Sequence, residues 1–150
     1  MCPKLILPIG VAGCGKTTYY HTSYKIDHIS ADNIRFEILH FQETGIDFDP
    51  SIEPQVWAKL WHQFIHLLKA NCSLYLDCTN LTKTRRQPFI DCARAFGYEI
   101  EMVWFNTDLQ TILQQNADRD RHVPTTVIAR QYATMQAPDP YEYDILVEVY

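Results

Sequence analysis

The sequence predicts an α/β fold, a doubly wound parallel sheet of about five strands with helices on both faces and a small arginine-bearing lid. Three observations carry that prediction. Apolar runs of strand length alternate with helix-period runs along the whole chain, the pattern of strand–helix–strand units that bury a parallel sheet between helical layers. Residues 10–17, Gly-Val-Ala-Gly-Cys-Gly-Lys-Thr, match G-x-x-x-x-G-K-[ST] without a departure, between a strand and a helix. Finally, the 150 residues contain no linker, internal repeat or low-complexity stretch, so a single domain over 1–150 is expected.

The elements follow in order. Lys4-Leu5-Ile6-Leu7-Pro8-Ile9 is a first strand, and Thr17 to Ser23 opens a first helix. Residues 25–29 form a second strand, followed by a helix from about Ala31 to Phe41 with Ser30 as its N-cap. A loop rich in acids, Gly and Pro runs from Glu43 to Pro54. Trp57, Leu60, Trp61, Phe64, Ile65 and Leu68 recur at helical spacing; this stripe reads as core packing. Residues 73–77 are a third strand. The next helix runs to about Phe96, and Thr84-x-x-Gln87 with Pro88 in the first turn argues for a start near Thr84. Glu99 to Phe105 is a fourth strand. Thr107-Asp108-Leu109-Gln110 is a capping box, Thr125 to Met135 a last helix and Asp144 to Tyr150 a last strand.

Composition narrows the function classes. Net charge is −5. Five acids, Asp47 among them, and no base lie between Arg35 and Lys59, while positive charge gathers at residues 83–86, Arg119 and Arg121. That balance disfavours tight nonspecific duplex binding. No apolar run approaches bilayer length and no signal-peptide pattern opens the chain. The five cysteines (2, 14, 72, 78 and 92) lack C-x-x-C spacing and suit reduced thiols in a cytoplasmic protein. His62 and His66 are four apart, but they fall on the wet helix face with Lys59 and Lys69, so no structural metal is expected.

The glycines at 10, 13 and 15 let backbone N–H groups turn inward on an anion, and the following helix adds its positive end. This phosphate loop makes the fold P-loop NTPase-type. Gly10, Gly13, Cys14, Gly15, Lys16, Thr17 and Thr18 are the expected nucleotide contacts, with Lys16 reaching the β- and γ-phosphates and Thr17 ligating Mg²⁺. Cys14 fills the loop as a small residue. Ligands of open α/β sheets sit at the carboxyl ends of the strands, which draws Asp32, Arg35 and residues 77–80 to the same cleft. Asp77 ends a strand where a second Mg²⁺-organising carboxylate belongs. Asp32 and Arg35, one helical turn apart, form either a base with an anion grip or a surface ion pair. Arg119 and Arg121 lie in a solvated turn or in a lid that brings an arginine to a transferring phosphoryl group. Absence of D-x-x-G and N-K-x-D weighs against a GTPase switch.

These motifs together resemble the 5′-hydroxyl kinase domain of phage polynucleotide kinase. The resemblance rests on 10–17, Ser30-Ala31-Asp32-Asn33-Ile34-Arg35, Asp77-Cys78-Thr79-Asn80-Leu81 with Arg85-Arg86, and Asn116-Ala117-Asp118-Arg119 leading to Val123-Pro124, in the family's order. It implies an ATP-dependent kinase using ATP and Mg²⁺, with Lys16, Asp32 and Arg119 catalytic. Arg35 would grip a neighbouring phosphate, and Thr79, Asn80, Arg85 and Arg86 would line the acceptor side. Two departures stand out. The aspartate before Thr-Asn falls one place earlier, with Cys78 in its position. No counterpart of the phage C-terminal phosphatase domain follows, so no 3′-end processing is expected. The partners implied are a nucleoside triphosphate donor and a nucleic-acid 5′ end. The alternatives are a small-molecule acceptor (nucleoside, sugar or amino-sugar) and a nucleotide-binding module without transfer.

Overall fold

In the computed structural model β1 (Lys4–Ile9) occupies the centre of a five-stranded, all-parallel sheet, in the order β2 (Asp27–Ser30), β3 (Leu74–Asp77), β1, β4 (Glu99–Phe105), β5 (Ile145–Val149). Residues 2–46 and 48–150 are described; Asp47, counted among the acids above, lies outside them. Alternation along β1 divides the core. Leu5, Leu7 and Ile9 face Val56, Leu60, Phe64 and Leu68 of α4 (Glu53–Lys69) and Phe89 and Ile90 of α5 (Lys83–Ala95). Ile6 faces the other way, onto Ile112 of α6 (Leu109–Ala117) and Ile128 of α7 (Thr125–Thr134). Strands buried on both faces read as continuous apolar runs, which is why β1 and β4 were legible as strands.

The chain leaves β1 toward β3 and β2 and returns across β1 to β4 and β5. The crevice at the carboxyl end of β1 is therefore the fold's natural ligand site. Gly10 N–H donates to the Thr79 carbonyl at 3.1 Å, tying the ends of β1 and β3 together there.

Local chemistry moves several boundaries. The helix after β2, α2, spans Ala31–Ile38, and the Ser30 hydroxyl caps it by accepting from Asn33 N–H at 3.1 Å. It stops short of Phe41 because His40 takes a left-handed conformation (φ 50°), and a four-residue helix, α3 (Phe41–Thr44), follows. The acidic loop is thus partly helical, with a further 3₁₀ turn at Pro50–Ile52. Helix α5 starts at Lys83, capped by Thr82 rather than Thr84: the Thr82 hydroxyl accepts from Arg85 N–H. Pro88 then falls beyond the first turn. Asp108, not Thr107, caps α6, accepting from Thr111 N–H at 3.0 Å.

Candidate active site

The phosphate loop leads directly into α1 (Lys16–Ser23) and lines a cavity of about 1330 Å³. Gly13 and Gly15 adopt φ of 80° and 103°, where L side chains are strained. Gly10 is required for space instead: a Cβ there would come within 2.5 Å of the Cys14 sulfur. Cys14 is buried against Gly10 and fills the loop as expected. The Lys16 ammonium folds back over the loop, donating to the carbonyls of Gly10 at 2.9 Å and Val11 at 2.7 Å. Ala12 N–H donates to Gln131 Oε1 of α7 at 2.8 Å, so α7 braces the loop from the far side.

Beside the loop, Thr17 Oγ1 donates to Asp77 Oδ2 at 2.7 Å, and His28 Nε2 lies 2.9 Å from the same oxygen. Burial works to raise the Asp77 carboxyl; the bonds from His28 and Thr17 and the charge of Lys16 outweigh it and hold the group below the usual carboxylate range. His28 is held in turn by stacking on Tyr20, with ring centroids 4.1 Å apart. A hydroxyl and an ionised carboxylate in contact form the hard-oxygen donor set that suits Mg²⁺ held largely by substrate phosphates. Thr17 and Asp77 fit that ion. Among the described residues no group of three or more His, Cys, Asp or Glu side chains is placed to hold a metal ion.

Arg119 follows α6. The side chain of Asn116 pairs with both backbone groups of Val123 (2.7 and 2.9 Å), closing the intervening segment into a loop. Arg119 Nη1 is buried against Gly13 and has no hydrogen-bond partner among the described residues. Two positions on, the Arg121 guanidinium lies 4.6 Å from the centroid of the Phe36 ring. The loop thus touches both the phosphate loop and α2.

Asp32 and Arg35 stand on that helix, with Arg35 Nη1 donating to Asp32 Oδ1 at 2.9 Å. Asp32 is open, its side chain 61% exposed, and Arg35 is half-buried at 21%. Both line the same cavity as the loop. Arg35 also forks onto Glu53, which accepts from Trp57 as well.

The four other acceptor-side candidates divide. Thr79 and Arg85 line the cavity. Asn80 borders it, but its buried amide donates to the carbonyls of Pro8, Leu76 and Cys78. Arg86 does not line the cavity. It is fully buried, forks onto Glu142 at 2.8 and 2.9 Å, and donates to the carbonyls of Asn80 and Gln136. That position stitches the 136–142 segment to the end of β3. A second correction concerns the tryptophan stripe. Trp57 and Trp61 sit at its edge, only partly buried, and wall the cavity, with Trp61 stacked on Phe89 at 4.4 Å. Phosphate-loop motifs gave no hint of His28, Glu53 or Gln131. Strand parity could have found His28 only with the register in hand, because residues 28 and 77 share a face once 28 pairs with 75 and 30 with 77.

Comparison with known proteins adds a family. A family model described as "AAA domain" matches residues 5–138. The chain is 25% identical over 152 residues to an L-seryl-tRNA(Sec) kinase of Methanococcus maripaludis, covering 94% of this chain and 56% of that protein. It is 22% identical over 155 residues to a putative bifunctional polynucleotide kinase/RNA ligase of Autographa californica nuclear polyhedrosis virus, covering 96% and 22%. The chain therefore spans about half of the first relative and less than a quarter of the second. A solved sugar kinase from Janibacter sp. HTCC2649 superposes with a TM-score of 0.69 at 22% identity, over 97% of this chain and 85% of that one.

Proposed function

The chain belongs to this AAA-domain family, and we propose that it is an ATP-dependent phosphotransferase that moves the γ-phosphate of ATP to a hydroxyl, foremost the 5′-hydroxyl of a DNA or RNA end. The observation that carries the reading is Arg119. A buried, unpartnered guanidinium nitrogen against the phosphate loop is costly unless an anion arrives, and a transferring phosphoryl group is such an anion. The loop and Lys16 hold the donor. Thr17 and Asp77 would hold Mg²⁺, which when bound would supply charge neutralisation to the phosphates. Asp32, open to the cavity on the first turn of α2, takes the proton of the attacking hydroxyl. Arg35 keeps that carboxylate in place and offers a cation to the acceptor.

A second reading, a small-molecule hydroxyl acceptor, is favoured by a specific observation. Of the three arginines expected on the acceptor side, two are paired, Arg86 with Glu142 and Arg35 with Glu53 and Asp32, which leaves Arg85 alone to argue for an anionic acceptor. Transfer of labelled γ-phosphate onto a panel of 5′-hydroxyl oligonucleotides, mononucleotides, nucleosides and sugars decides between them. Labelling of oligonucleotide 5′ ends is expected. Labelling confined to nucleosides or sugars replaces the first reading with the second, and no labelling at all removes both.

A further inference from the structure

Glu53, the first residue of α4, sits at the acceptor end of the cavity with both carboxylate oxygens on Arg35. Arg35 Nε donates to Oε1 at 2.7 Å and Nη2 to Oε2 at 3.0 Å. Oε2 accepts a second bond, from Trp57 Nε1 at 3.2 Å. The remaining Arg35 edge goes to Asp32. A two-point fork on a carboxylate is the geometry with which arginine takes a phosphate. Glu53 therefore occupies the edge that an acceptor phosphate needs. The bond from Arg35 holds its carboxyl below the usual range, so it is charged at neutral pH. Asp32 and Glu53 are offset by Arg35 and Arg85, whose charge also acts on Glu53. The subsite is balanced as it stands, and an added phosphate brings uncompensated negative charge.

We propose that Glu53 determines acceptor specificity as a carboxylate latch, holding the guanidinium edge of Arg35 so that a phosphate-bearing acceptor binds only by displacing it. The proposal rests on the reading above that Arg35 faces the acceptor, and it names what that acceptor must do on arrival. A neutral acceptor, stacked along Trp57 with its hydroxyl toward Asp32, leaves the latch closed. An acceptor with a phosphate beside its hydroxyl must open it, at a cost in affinity that Glu53 sets.

The test compares the full chain with its Glu53→Gln variant, the donor site filled by a non-hydrolysable ATP analogue. Binding of adenosine and of adenosine 3′-monophosphate, each carrying a free 5′-hydroxyl, is measured by calorimetry. The expected result is about tenfold tighter binding of the 3′-monophosphate to Glu53→Gln, about 1.4 kcal/mol, with adenosine and the ATP analogue within about twofold of wild type. Glu53→Asp keeps the charge, and its gain should stay below about threefold. An equal gain for adenosine overturns the proposal. So does no gain for the 3′-monophosphate, or no measurable binding of it to Glu53→Gln. Transfer from labelled ATP onto the same two compounds is read separately. Tighter binding without transfer leaves the latch and removes the nucleic-acid reading; transfer without tighter binding does the reverse.

Discussion

At the proposed donor end of the cavity polar side chains are bonded into the fold, whereas at the proposed acceptor end two carboxylates and a guanidinium bond mainly to one another beside solvent. Lys16 donates to the carbonyls of Gly10 and Val11, and Thr17 and His28 both meet the Asp77 carboxylate, all at 2.7 to 2.9 Å; Lys16 and Asp77 are buried. Asp32, Arg35 and Glu53 are linked just as closely, yet their side chains are 61%, 21% and 30% exposed. On the proposed function, the two halves draw their selectivity from different sources. A triphosphate is the same for every enzyme of this fold, so its cradle can be rigid and backbone-built. Acceptors differ, and under the proposal a charge-balanced, partly exposed cluster is retuned by one substitution.

The largest expected effect tests Arg119, whose Nη1 has no hydrogen-bond partner among the described residues. Arg119→Ala should lower kcat on the order of 10³-fold or more, with ATP binding measured by calorimetry little changed. A loss under about tenfold would show that the donor end is complete without the lid arginine. Asp32→Asn should come next, cutting kcat by about 10²- to 10⁴-fold with ATP binding intact. Full activity in that variant would leave the acceptor end without a base.

Arg86 sharpens the comparison from outside the cavity. Replacing it with methionine leaves Glu142 without its guanidinium partner and only 4% exposed, which should cost about 3–5 kcal/mol in urea unfolding. Arg86→Met with Glu142→Leu should recover most of that loss. Transfer per folded molecule should be unchanged in both, because the pair lies outside the cavity lining. A changed KM for acceptor would return Arg86 to the acceptor side.

The same contrast separates what was legible in the sequence from what was not. The phosphate loop is read from eight consecutive residues because its chemistry is local backbone chemistry. Asp77 is legible because an acid at the end of an apolar strand must face the sheet's carboxyl edge. Arg86 misled because its partner, Glu142, lies 56 residues away, so adjacency to Arg85 says nothing about burial. Thr82 and Thr84 both precede helical residues, and only tertiary packing selects the earlier cap. Trp57 and Trp61 belong to the apolar stripe by period, but a stripe has edges, and what covers an edge depends on α5 and the cavity. Glu53 was hidden for the same reason: its role exists only once α4 packs on α2.

The smallest expected effect compares the two ends through acid stability. Asp77 and Glu53 both have carboxyls held below their ordinary values of 3.8 and 4.5. A carboxyl lowered on folding adds stability in full above its unfolded value, and that stability is lost as pH falls through the folded one. The window for Glu53 thus opens below about pH 4.5 and that for Asp77 below about pH 3.8. Asp77→Asn and Glu53→Gln should each flatten the decline in unfolding free energy measured from about pH 6 to about pH 3. Solvent screens an exposed pair more than a buried one, and Asp77 is 5% exposed against 30% for Glu53. The flattening should therefore be greater for Asp77→Asn. Greater flattening for Glu53→Gln would mean that the acceptor cluster is the more tightly coupled of the two, and the contrast between the ends would reverse.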